Sequence, residues 1–112
     1  MHPKDLKKYL YDVLQTIDGL EQAASNWGIK DLEALTNRWI LERGISIIGE
    51  AIYKAHNIDR ALAITDKNKI IATRHIIIHD YDIVDSARLL FIIKNQLPLL
   101  KEEVENILKN LV

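Results

Sequence analysis

Along the first two dozen residues, apolar side chains recur at Leu6, Leu10, Val13, Ile17, Leu20 and Ala24, in alternating steps of four and three. That spacing keeps them on one face of an α-helix, because about 3.6 residues complete a turn. Pro3 suits a first-turn position, where its missing N–H costs nothing, and Asn26 with Gly28 punctuates the end. A short helical turn through Leu32 and Leu35 comes next. Thr36-Asn37 then reads as the N-cap pair of a second long helix reaching about His56, since short oxygen-bearing side chains can accept from the free N–H groups of a first turn. Gly44, Gly49, Ala51 and Ala55 are small residues at helical spacing within it. Each glycine costs about 1 kcal/mol of helix propensity, which close approach of a neighbouring helix would offset. Trp39, Ile40, Ile47 and Ile48 are expected to fill the core around them.

Residues Asn57 to Ala63 show no period and read as a loop. Thr65-Asp66 then predicts an N-cap followed by an acidic first-turn residue, opening a third helix through Ile70, Ile71, Ile77 and Ile78. Isoleucines also favour strands, but these pairs repeat every seven residues, whereas a half-buried strand alternates every two. From about Val84 the pattern is clearest: Leu90, Leu97, Val104 and Leu111 interleave with Ile93, Leu100 and Ile107 at heptad positions. The register continues past Pro98, which predicts a kink there and not an end. Four long helices with short links predict an all-α fold, an up-and-down four-helix bundle with an additional short helix, spanning residues 1–112 as a single domain.

Composition narrows the function. Hydrophobic residues make up 48% and charged residues 28%, which suits a globular chain and excludes a disordered or fibrous one. The absence of cysteine excludes disulfides and thiolate zinc sites and points to a cytoplasmic setting. The start of the chain lacks the apolar core of a signal peptide, and no apolar run approaches the roughly 20 residues that span a bilayer, so no membrane association is expected. Fifteen Lys and Arg against sixteen Asp and Glu give a net charge of −1, leaving no global field to attract nucleic acid. Any such binding needs a local site. Lys4, Lys7 and Lys8, or Lys67, Lys69, Arg74 and His75, are the sequence's candidates, although sparse surface lysines are ordinarily just solvated.

One stretch is chemically dense. Arg74-His75-Ile-Ile-Ile-His79-Asp80-Tyr81 sets two imidazoles, a guanidinium, a carboxylate and a phenol among aliphatic residues. At about 100° per residue, Arg74 and Tyr81 differ by about 20°, while Arg74 and His79 stand about 140° apart. A straight helix cannot aim that last pair into one small pocket. Either the helix ends or distorts near His79, or a substrate spans the pair, or a second protomer supplies one member across a two-fold axis. His75 and His79 are also four apart, as in helical zinc sites, with Asp80 and Asp82 as the nearby oxygens, but no glutamate follows the first histidine as the hydrolytic zinc motif requires. Two structural histidines and an arginine paired to an acid would account for the residues without any chemistry.

From roughly Arg38 onward, the sequence resembles the HEPN superfamily, specifically the HepT-like toxins encoded beside a minimal nucleotidyltransferase antitoxin. The family motif is arginine, four residues, histidine, one residue, tyrosine, and Arg74, His79 and Tyr81 match it. His75 takes the place of the polar residue, most often asparagine, that follows the arginine. Ile47-Ile48-Gly49-Glu50-Ala51 resembles the Ile-Gly-Glu-Ala signature of the second helix, and Asp85 with Gln96-Leu97-Pro98-Leu99-Leu100 resembles the downstream Asp and Leu-Pro-Pro-Leu elements. Asp80 departs from the glycine of many relatives and adds negative charge beside a site meant for phosphate.

The resemblance implies a HEPN-like bundle and a homodimeric endoribonuclease toxin that uses neither metal nor other cofactor on RNA, tRNA or mRNA among the candidates. Such cleavage needs a proton taken from the ribose 2′-OH, one given to the leaving 5′-oxygen, and cationic support for the phosphorane. His79 is then the general acid/base and Arg74 the phosphate clamp, supported by His75 and Asp80. Tyr81 is the implied acceptor of AMP from the cognate nucleotidyltransferase antitoxin, a modification that would repel RNA by charge and block it by volume. Two alternatives stand beside this reading: a non-catalytic helical dimer that docks a nucleotidyltransferase, and a metal-binding bundle using His75 and His79.

Overall fold

The computed structural model describes residues 3–79 and 86–111, with their side chains except at residues 3, 4, 29, 74–79 and 86. Helix α1 (Pro3–Ala24) carries the first apolar stripe, and all six of its members are at most 5% exposed. A 3-10 turn (Ile29–Glu33) leads into α2 (Leu35–Ile58). Here the cap differs from the expected one. Ala34 holds the N-cap position without a side-chain bond, and Thr36 and Asn37 already belong to the first turn. The Asn37 side-chain amide donates instead to the Asp31 carbonyl at 2.9 Å, while the Asp31 carboxylate accepts from the Gly28 N–H at 2.6 Å. The polar residues of this corner therefore tie the 3-10 turn to α2.

Leu41, Ile45, Ile48, Ile52 and Ala55 form the buried stripe of α2. Trp39 and Ile40 do not join it: they are 57% and 46% exposed, and Ile47 is half-buried. The wheel explains this, since Trp39 precedes Leu41 by two residues and so stands about 160° from it. The small residues behave as expected, because a Cβ on Gly44 would lie 2.5 Å from Leu20 Cδ2 on α1. Close α1–α2 approach depends on that missing atom.

Leu62 and Ile64, 5% and 6% exposed, plug the end of the bundle from the loop after α2. Helix α3 (Lys67–His79) then packs against α2. The last rod is built from α4 (Ser86–Phe91), a π-helical segment (Ile92–Gln96) and α5 (Leu97–Asn110), in unbroken succession. Pro98 gives the reason for the π segment. Proline has no N–H and its ring crowds the carbonyl four residues back, so the ladder widens just before it, and the Leu97 N–H donates to the Ile92 carbonyl five residues back. Leu89, Leu90, Ile93, Leu97, Leu100 and Val104 are buried along this rod. Fully burying each such side chain stabilises the fold by about 1.5–3 kcal/mol.

Four rods and a short helical turn, with no strand among the described residues, make the all-α bundle that the periodicity predicts. Helix α2 is its spine, touching both α1 and α3, while α5 closes the other side of α1. Lys101 of α5 reinforces that closure, its ammonium lying 3.1 Å from Asp18 and 3.6 Å from Glu21 of α1.

Candidate functional site

Helix α3 carries the residues of interest, and its start is held firmly. Asp66 holds the capping position, its carbonyl accepting from the Ile70 N–H at 2.9 Å. Thr65, the expected N-cap, does different work, and Asp66, expected in the first turn, stands one position earlier: the Thr65 N–H and hydroxyl both donate to the Glu103 carboxylate, at 3.0 and 2.7 Å. The entry to α3 is thereby pinned to α5. Lys67 Nζ reaches back to the Arg60 carbonyl at 3.1 Å and the Leu62 carbonyl at 3.5 Å. Near Lys67 and Arg60 lies His56, whose Nδ1 is buried with no hydrogen-bond partner among the described residues. Burial, with Lys67 and Arg60 nearby, pushes its pKa below the usual imidazole value.

Arg74, His75 and His79 all fall within α3, so their spacings are helical spacings. Arg74 follows Ile70 by four residues, and Ile70 and Ile71 are half-buried against the core. Its station on the helix is therefore on the stripe that begins with those isoleucines, while that of His79 stands about 140° away. His75 and His79 share a face, about 40° apart. Asp80 and Tyr81, with Asp82 and Asp85, lie outside the described residues.

Between α3 and the α4–π segment runs a groove of about 330 Å³, lined by Lys69, Ala72, Thr73, Arg88, Phe91, Ile92 and Gln96. Ala72 precedes His79 by seven residues, so the two stations differ by about 20° and stand roughly 10 Å apart along the axis. The α3 wall of the groove therefore shares a helix stripe with the His79 station. Sequence reasoning singled out Lys69 but not Arg88 and Phe91, whose only signal there is an aromatic three residues after a cation. Phe91 is 55% exposed.

The Gly-Glu-Ala element divides by face. Gly49 and Ala51 are buried, whereas Glu50 lines a second groove of about 480 Å³ between α1 and α2, with its carboxylate 3.8 Å from Lys54 Nζ. The Tyr9 ring at its edge has the ammonium groups of Lys8 and Lys54 at 5.0 and 5.6 Å from its centroid. These contacts are one local ion pair and two cation–π contacts at the surface, where each contributes little.

The described residues thus form an all-helical bundle with an arginine and a histidine five residues apart on α3. The family described as Ribonuclease HepT-like matches residues 13–107, and the chain belongs to it. The chain is also 29% identical, over 94% of its own length and 98% of the relative's, to a protein of Methanocaldococcus jannaschii named "Putative RNase MJ1380". No solved structure matches it. Membership of this ribonuclease family supports nuclease activity on RNA. No described helix is long and apolar enough to cross a membrane.

Proposed function

We propose that residues 1–112 form a single HEPN-like domain working in the cytoplasm as a homodimeric, metal-independent endoribonuclease, the toxin of a toxin–antitoxin pair. The observation that carries this is the pair Arg74 and His79 on α3 of a chain matched over residues 13–107 by the HepT-like ribonucleases. His79 takes the proton of the attacking 2′-OH or returns one to the leaving 5′-oxygen. The imidazole suits both roles because its pKa is close to neutrality. Arg74 holds the scissile phosphate with its planar fork of donors, and the wide angle between the two stations is met by a second protomer presenting the complementary member. His75 and Asp80 support that arrangement. Tyr81 accepts AMP from a minimal nucleotidyltransferase antitoxin, and the added bulk and charge shut the site.

The test is cleavage of bulk tRNA and mRNA by the purified chain with a chelator present. Cutting by the parent and its loss in both Arg74→Ala and His79→Ala, with helical content unchanged, is the expected result. The rate should also show a limb near the histidine pKa when chemistry is limiting. Undiminished cleavage by folded His79→Ala would remove the acid/base assignment, and cleavage abolished by the chelator would remove metal independence.

A further inference from the structure

The groove between α3 and the α4–π segment has a composition that the chain as a whole lacks. The chain carries sixteen acidic residues against fifteen basic ones, yet the described lining of this groove holds two cations and no carboxylate. Lys69 comes from α3 and Arg88 from α4, so two separate elements place positive charge on the same cleft. Phe91 stands on the Arg88 side at 55% exposure, and Thr73 and Gln96 also line the groove. Helix α3 makes its close backbone contacts with α2 and none with α4 among the described residues, which leaves the cleft open.

Each part fits one kind of ligand. Cations on both walls suit a polyanionic backbone, and an exposed ring beside them offers a stacking face to an unpaired base, which is how single strands are held without sequence readout. Duplex RNA hides its base faces within the stack and has no use for Phe91. An acidic protein segment could use the cations but has no need of the exposed ring that an unpaired base can stack on. The position supports RNA too, because Ala72 on the groove wall shares its helix stripe with His79, about two turns further on.

We propose that this groove is the track of a single RNA strand flanking the cleavage site, with Lys69 and Arg88 engaging backbone phosphates and Phe91 stacking on a base. The proposal rests on the ribonuclease reading for the identity of the bound polymer, and binding and cutting are therefore measured separately. Binding of a fluorescent single-stranded RNA oligonucleotide is followed in the His79→Ala full chain, so that no substrate is lost. Adding Lys69→Gln with Arg88→Gln should weaken binding and lower the salt slope of log K by about 1.4, two phosphate contacts at roughly 0.7 each. Phe91→Leu should weaken it by about fivefold to 150-fold, the range for one lost stack, while Phe91→Trp keeps it. All three positions are exposed, so helical content should not change.

Affinity and salt slope equal to the parent's in the groove variants would overturn the proposal, as would equal losses for Phe91→Leu and Phe91→Trp. Failure of the parent itself to bind the strand would do the same. If His79-intact protein binds the strand through the groove but cuts no RNA, the ribonuclease reading fails and the groove stands. If it cuts while the groove variants bind unchanged, the reverse holds.

Discussion

At the scale of single residues, two glycines have opposite surroundings and should respond oppositely to the same change. Gly19 lies inside α1 with nothing within 4 Å of where a Cβ would stand, so Gly19→Ala should only gain helix propensity. Stabilisation of about 0.5–1 kcal/mol is expected. Gly44→Ala gains the same propensity, but the new methyl would come 2.5–2.8 Å from three atoms of buried Leu20. Overpacking costs about 1–3 kcal/mol and should win, leaving a net loss of about 1 kcal/mol. Urea midpoints at constant m-value read both signs directly. A gain at Gly44 matching that at Gly19 would mean that Leu20 has room to turn aside. Such differences mark what sequence can show for a single residue. The small size of Gly44 was legible as a sign of close packing, but the exposure of Trp39 was not, because a large apolar residue near a helix start belongs to the core only if its angle suits.

Among the elements, the heptads of the last rod were legible through Pro98 because burial at Leu90, Leu97 and Val104 depends on the long-range register. The π segment was not. It is a local answer to a missing N–H, and sequence shows the problem at Pro98 without showing which widening solves it. The α2–α3 junction holds another feature hidden until the elements pack. His56 belongs to the last turn of α2, and its Nδ1 is buried with no hydrogen-bond partner among the described residues. Its folded-state pKa is lowered, first by burial and then by Lys67 and Arg60. Protonation therefore favours the unfolded chain, so this contribution is complete above about pH 6.5 and is lost as pH falls through the lower folded-state value. Melting temperature should drop more between pH 7.5 and pH 5 for the parent than for His56→Phe, which cannot take the proton. Parallel melting curves over that range would show that the junction tolerates the charge.

For the whole molecule, the motif residues and the groove differ in how they are encoded. Arg74 and His79 share one helix, so their spacing is already present in the order of the residues. Lys69 and Arg88 line the same cleft only because α3 and α4 flank it, which no local pattern announces. The same geometry gives a decisive question about assembly. Stations about 140° apart on one helix are hard to aim at a single phosphodiester within one copy, and a two-fold axis removes the difficulty by letting each copy give one member to each site. Arg74→Ala and His79→Ala chains, inactive alone, should then complement one another. In a mixed dimer, one site receives both mutant residues and is dead, while the other receives the intact histidine of the first chain and the intact arginine of the second. Random exchange makes half the dimers mixed, so activity should return to about a quarter of the parent's. Mass spectrometry of the exchanged sample verifies that mixed dimers form, and their failure to cut RNA would place Arg74 and His79 in the same protomer's site.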